Sequence, residues 1–234
     1  LIPLAAMTGE RITFNGSGRL RERPLDVYYD IFDKQGIRYA TDNGKLPLTL
    51  WGSLKPGDFH MRGDVSSQFI TGLMFVLPLL NDDSLIILEA PLESRGYVDL
   101  TIDVLKSFGI IIENNDYESF RIKGNQSYKP AIFKVEGDYS QAAFWLAAGV
   151  LSGEVACRGL NIDSLQGDRD IIRIIQAMGG ILEVNDNEII AHKSELRGIE
   201  IDASQIPDLI PVIAVMAALS QGRTVIKNAK RLRL

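Results

Sequence analysis

The chain has 234 residues, 46% apolar and 24% charged, which fits a globular protein of one or two domains with a sizeable core. A net charge of −5 argues against nucleic acid as the main partner but allows a local basic pocket for a small anion. The single cysteine, Cys157, excludes an internal disulfide, and His60 and His192 lie too far apart to suggest a metal site.

Leu1 to Met7 read as the end of a helix and lack the basic start of a signal peptide, so the cytosol is the expected compartment. A strand is expected over 11–15. Arg19-Leu-Arg21-Glu-Arg23-Pro24 follows. In an extended segment, alternate positions put at least two of these arginines on one side. Arginine is the side chain best suited to bidentate capture of carboxylate or phosphate. An amphipathic helix is expected over 25–35, closed by Gly36.

Gly63-Asp-Val-Ser66-Ser67-Gln68 heads an apolar helix expected over 67–80. Hydroxyls and free N–H groups at a helix N-terminus make an anion site. A plain N-cap needs one Ser, and this segment has two plus Gln68. The apolar run Phe69 to Leu80 is too short to span a bilayer and contains Pro78. Glu93-Ser94-Arg95-Gly96-Tyr97, with three side chains able to reach a polar ligand, precedes a second amphipathic helix over 98–108.

Gly124 to Pro130 is the longest polar stretch, and a strand is expected after it over 131–135. The domain crossing is placed there, with 1–134 in the first part and 135–234 in the second. Gly137-Asp-Tyr-Ser140-Gln heads an apolar helix over 141–151, with Ser140 read as a cap. Cys157 lies in an apolar strand and reads as a buried thiol. A third amphipathic helix is expected over 169–178, then a turn over 183–188. Ser204-Gln-Ile-Pro207-Asp208 heads the last apolar helix, 210–219. Asp208 is a carboxylate in an apolar setting, either an N-cap or a tuned general base.

These elements repeat. Asp26 to Gly36, Asp99 to Gly109 and Asp170 to Gly180 are one unit written three times, 73 and 71 residues apart. Gly63-Asp and Gly137-Asp open a second recurring unit, 74 residues apart. The period is too long for the common solenoids. Each copy reads strand, helix, strand, helix, then two short strands. One helix type is amphipathic; the other is apolar nearly all round and must be buried. Neither chain end carries the solvated cap usual for a terminal repeat, so the chain is expected to be a piece of a longer protein.

At Arg-Leu-Arg-Glu-Arg-Pro, Gly-Asp-Val-Ser-Ser-Gln-Phe, Ser-Arg-Gly-Tyr-Val-Asp, Leu-Gln-Gly-Asp and Ile-Pro-Asp, in that order, the chain resembles the 5-enolpyruvylshikimate-3-phosphate synthase family (3-phosphoshikimate 1-carboxyvinyltransferase) along its whole length. The resemblance implies an α/β (α+β) fold of repeated βαβαββ units, an inside-out α/β barrel of the enolpyruvyl transferase type, with parts of two globular domains present. It implies transfer of the enolpyruvyl group of phosphoenolpyruvate to the 5-hydroxyl of shikimate 3-phosphate, a step of aromatic amino-acid biosynthesis. The enzyme would act without cofactor or metal, as a cytoplasmic monomer, with no nucleic-acid or membrane partner. Carried over by position, Ser66, Ser67, Ser94 and Tyr97 would hold the shikimate phosphate, and Gln68 would lie between the substrates. Arg23 would bind phosphoenolpyruvate, and Asp208 would take the proton of the 5-hydroxyl. Arg231 stands where some members have a substrate-contacting Asn and is assigned no role. Several of the family's catalytic segments would lie outside the chain, so no turnover is expected from it alone.

Two other readings compete. The related transferase acting on UDP-N-acetylglucosamine typically carries a catalytic Cys in a Gly-rich loop, whereas Cys157 sits in a strand. A non-catalytic repeat scaffold has no reason to place anion ligands at Arg23, Ser67 and Gln68 or a carboxylate at Asp208.

Overall fold

A computed structural model describes residues 1–186 and 188–233. In chain order the elements are α1 (Ile2–Thr8), β1 (Ile12–Phe14), α2 (Asp26–Gln35), β2 (Arg38–Asp42), β3 (Lys45–Trp51), β4 (Asp58–Met61), α3 (Ser67–Met74), β5 (Ser84–Leu88), α4 (Arg95–Ser107), β6 (Ile112–Asn115), β7 (Ser119–Ile122), α5 (Tyr139–Ser152), β8 (Glu154–Arg158), α6 (Ile171–Ala177), β9 (Ile181–Val184), β10 (Glu188–His192), β11 (Glu200–Asp202), α7 (Ile210–Ala218) and β12 (Val225–Lys227). Short 3-10 turns sit at Gly18–Glu22, Leu77–Leu79, Gly167–Asp170, Pro207–Leu209 and Lys230–Arg233.

The repeat inferred from sequence is visible in the pairing. From β4 to β7 one copy is complete: β4, α3, β5, α4, β6, β7, with sheet order β4-β5-β7-β6. Its first two strands are parallel and its last two pairings antiparallel. The sheets β1-β3-β2 and β8-β10-β9 reproduce the last three strands of that order, all antiparallel. The parallel pair β11-β12 reproduces the first two. A parallel pair needs a crossover, and α3 and α7 are those crossovers.

The amphipathic helices end where the glycines predict. Gly36 and Gly109 take left-handed backbone at φ 67° and 83°, a conformation that costs a Cβ-bearing residue but not glycine. In the third copy Gly179 takes that role, at φ 91°. A Cβ on the following Gly180 would lie 2.4 Å from the Ile175 side chain, so both glycines are needed.

Four expectations are corrected. The helix expected over 67–80 ends at Met74, because the ring of Pro78 would clash with the carbonyl four residues back and gives it no N–H partner. The segment 131–135 forms no strand; Ile132 and Val135 are exposed, and no parallel neighbour pairs with it as β5 pairs with β4. The apolar helices are not covered on every side. Phe144 and Trp145 on α5, Val215 on α7 and Leu219 just past its end are at least half exposed. Fourth, the helix expected over 169–178 is a 3-10 turn through Asp170, and α6 starts at Ile171. The expected turn over 183–188 includes Asn187, which lies outside the described residues, as does the side chain of Arg231.

Two compact units emerge. The first comprises Leu1–Glu93 and Thr101–Ala131, the second Ser94–Leu100 and Ile132–Leu234. The first is built on Phe32, Leu48, Leu50, Phe59, Ile70, Leu73, Met74, Ile86 and Phe120. The second packs Leu146, Ile171, Ile175, Ile189, Leu209, Ile213 and Met216 together. Among the described residues no helix is long and apolar enough to cross a membrane.

Candidate active site

In the first unit, Arg19 and Arg21 lie in the 3-10 turn, not in an extended segment. At three residues per turn, positions two apart point in different directions, so the alternation does not align these arginines. Arg21 instead lines a shallow depression of mixed charge with Glu22, Asp42 and Lys45. Arg23 is exposed and extended, at φ −65° and ψ 136°, as the following Pro24 requires.

Ser66 caps α3: its Oγ accepts the Gln68 N–H at 3.3 Å. Ser67 opens the helix and is buried, while Gln68 points out to solvent. Upstream, Arg62 pairs with Asp64 through two contacts of 2.9 and 2.5 Å, which neutralises the one carboxylate in this loop. Tyr28, on the first turn of α2, packs edge-on against Phe69 with centroids 4.8 Å apart, and its hydroxyl donates to the Phe69 carbonyl at 3.3 Å. The first turns of α2 and α3 thus meet. Arg23 lies five residues before Tyr28. A basic side chain and a positive helix end suit an anion.

In the second unit, Ser94 is buried and held at φ 57°, a left-handed conformation uncommon outside glycine. The Arg95 N–H donates to Gln205 Oε1 at 2.9 Å, tying the start of α4 to the loop before Pro207. A Cβ on Gly96 would lie 2.6 Å from the Gly167 backbone nitrogen, so only glycine permits this approach. Three residues past Gln205, Asp208 occupies the 3-10 turn leading into α7 and is exposed; neither that turn nor α7 has a side-chain cap, so the cap reading gives way to the contact that follows.

Tyr97 Oη lies 2.7 Å from Oδ2 of Asp208 and 2.7 Å from Oδ2 of Asp168. Asp168 is buried, 2% exposed. Its loop is clamped by Gln166, whose amide donates to Glu136 Oε1 and the Gly137 carbonyl and accepts the Tyr139 N–H, at 2.7 to 2.9 Å. Burial, then the neighbouring carboxylates, push the Tyr97 phenol far above its ordinary range, so it keeps its proton. Burial also pushes the Asp168 carboxyl up; the Tyr97 hydroxyl opposes this, and Asp208 and Asp138 reinforce it. Cys157, in β8, pairs with Ile189 of β10, and burial pushes its thiol up, away from the thiolate a nucleophile needs. Among the described residues, no group of three His, Cys, Asp or Glu side chains could hold a metal ion.

A family model described as EPSP synthase (3-phosphoshikimate 1-carboxyvinyltransferase) matches residues 1–234. The chain belongs to the EPSP synthase family. It is 55% identical over 234 residues to the 3-phosphoshikimate 1-carboxyvinyltransferase of Clostridium kluyveri and 54% identical to that of Clostridium novyi. All of the chain is covered in both cases, but only 55% and 54% of those relatives, so it spans about half their length. Among solved structures it is similar to the EPSP synthase of Acinetobacter baumannii, with a TM-score of 0.76 and 18% identity over 99% of this chain and 54% of that one. It is also similar to the enolpyruvyl transferase NikO of Streptomyces tendae, with a TM-score of 0.74 and 20% identity over 96% and 54%. At these identities the two structures establish the α/β enolpyruvyl transferase fold.

Sequence reasoning on the EPSP synthase motifs gave Asp168 no role, although Leu-Gln-Gly-Asp carries it. The usable signal is its repeat position: Gln166 to Arg169 is the counterpart of Glu93 to Tyr97. The Gly96 contact gives a direct check. Gly96→Ala must push α4 away from Gly167 and is expected to destabilise the chain by about 1–3 kcal/mol in denaturant melts.

Proposed function

We propose that the chain is part of a 3-phosphoshikimate 1-carboxyvinyltransferase. In this reaction the 5-hydroxyl of shikimate 3-phosphate adds to C2 of phosphoenolpyruvate while C3 gains a proton. The tetrahedral adduct then loses phosphate, leaving the enolpyruvyl ether. The observation that carries the reading is Asp208, an exposed carboxylate held by the Tyr97 hydroxyl at 2.7 Å, in a chain whose α3 opens on Ser66, Ser67 and Gln68. Asp208 is assigned the proton of the 5-hydroxyl, a task for a positioned base.

Both substrates are anions, and stabilising developing charge on them needs preorganised donors. Ser66, Ser67 and Ser94 are assigned to the shikimate phosphate, Gln68 to the space between the substrates, and Arg23 to phosphoenolpyruvate. The sequence resemblance adds Tyr97 to the phosphate ligands. Its hydroxyl also contacts the carboxyl groups of Asp168 and Asp208, so Tyr97 is assigned in addition to holding Asp208. The raised Cys157 thiol in β8 disfavours the transferase reading that requires a reactive Cys. The enzyme is proposed to act in the cytosol as a monomer without a cofactor.

Arg23→Ala tests the reading. In the chain completed to the length of its relatives, it is expected to raise KM for phosphoenolpyruvate about 10- to 100-fold, the worth of a hydrogen bond to a charged group, with little change for shikimate 3-phosphate. A scaffold would show no change. Ser94→Gly keeps the left-handed backbone and removes the hydroxyl. It is expected to weaken shikimate 3-phosphate binding in a calorimetric titration of the completed chain.

A further inference from the structure

One phenol oxygen at 2.7 Å from two carboxyl oxygens poses a counting problem. Tyr97 has a single hydroxyl hydrogen and can donate it to one carboxylate only. If both aspartates were ionised, the second contact would set a carboxylate oxygen against a phenol lone pair with no hydrogen between them. A separation of 2.7 Å is the ordinary O–H···O distance, so each contact needs its own hydrogen. We propose that Asp168, Tyr97 and Asp208 share one proton beyond the phenol's own, carried by Asp168, so that Asp168 donates to Tyr97 and Tyr97 donates to an ionised Asp208. Asp168 is thereby a positioning residue for Asp208. This rests, for its catalytic meaning, on Asp208 being the base.

The surroundings decide which carboxyl carries the proton. Asp168 is buried and Asp208 exposed, and the charged form is disfavoured where water is excluded. Among the described residues, the groups that act on Asp168 are Tyr97, Asp208 and Asp138, none of them a cation. Tyr97 comes from α4 and Asp208 from the turn before α7. Asp138, at the head of α5, is a further negative charge; its Oδ1 accepts the Ser140 N–H at 2.8 Å. On the same turn, Arg169 is turned away to the carbonyls of Ile162 and Ser164, and Asp170 pairs with Arg173. Glu136, near the same loop, accepts from Ser164 and Gln166. A protonated Asp168 also gives Tyr97 a fixed direction. With its lone pair occupied by the Asp168 hydrogen, the phenol turns its own hydrogen to Asp208.

The test uses the 234-residue chain with carbon-13-labelled aspartate carboxyls, titrated by NMR, with Asp168→Asn assigning the signal. The Asp168 carboxyl is expected to titrate above the ordinary carboxylate midpoint of about 4. Asp208→Asn should lower that midpoint by about one pH unit or more, as for strongly interacting sites. An Asp168 midpoint at the ordinary value overturns the proposal. So does a raised midpoint that Asp208→Asn leaves unmoved, since burial alone would then explain it. Stability supplies a second reading. A folded-state carboxyl held above its unfolded value contributes stability below pH 4 that is lost as pH rises through the raised midpoint. Asp168→Asn, a neutral donor of the same shape, should therefore match wild type at low pH and become the more stable of the two as pH rises. A variant less stable than wild type at pH 8 contradicts the proposal. If the carboxyls couple as expected but Asp208→Asn spares turnover in the completed chain, the assignment of Asp208 as base fails while the shared proton stands.

Discussion

Asp208→Asn is expected to lower kcat for enolpyruvyl transfer by about 10²- to 10⁴-fold in the chain completed to the length of its relatives, with KM for both substrates changed little. The amide keeps the shape and can still meet the Tyr97 hydroxyl, so the turn Pro207–Leu209 and the start of α7 should stay in place. Only the ability to accept a proton is removed. A steady-state assay of phosphate release separates the outcomes. Loss confined to kcat marks a group that acts in the transition state. A change confined to KM would mean that Asp208 only helps hold substrate, and another base would have to be sought.

Ile213→Ala should be the most damaging of the conservative core changes near that carboxylate, at a cost of about 2–5 kcal/mol in denaturant melts. Ile213 is fully buried one turn past the segment that carries Asp208, in the cluster with Leu146, Ile175 and Met216. α7 has Pro at its head and no side-chain cap, so burial of its apolar side is what fixes it. Its opposite side leaves Val215 exposed, and Val215→Ala should therefore cost much less. Equal losses at Ile213 and Val215 would contradict the packing described for α7. A loss of this size is a large share of the stability of an ordinary domain.

The repeat was legible in the sequence because its signals are local. An acidic residue opening a helix and a glycine closing it ten residues later need no tertiary contact to be recognised. The strand order was not, because pairing joins residues far apart, as Leu85 with Arg121 and Ile12 with Leu50. The expected strand at 131–135 shows the limit of pattern reading. Apolar alternation marks a segment able to pair, but a strand needs a neighbour. The arginine run shows another: alternate spacing has meaning only once the backbone is known, and a 3-10 turn ended by Pro24 changed it. Around Asp208, sequence supplied each residue but not the contact. Tyr97 and Asp208 are separated by 111 positions, and the glycines that permit their approach, Gly96 and Gly167, read in sequence only as loop residues. The Leu-Gln-Gly-Asp motif does not by itself mark Asp168 for the same reason: its role depends on burial and on the phenol beside it.

The most direct measurement is phosphorus NMR of the chain, completed to the length of its relatives, mixed with phosphoenolpyruvate and either shikimate 3-phosphate or UDP-N-acetylglucosamine. The expected result is inorganic phosphate appearing in step with the enolpyruvyl ether of shikimate 3-phosphate, and no reaction with the nucleotide sugar. Phosphate release with UDP-N-acetylglucosamine alone, or with neither acceptor, would contradict the proposed reaction.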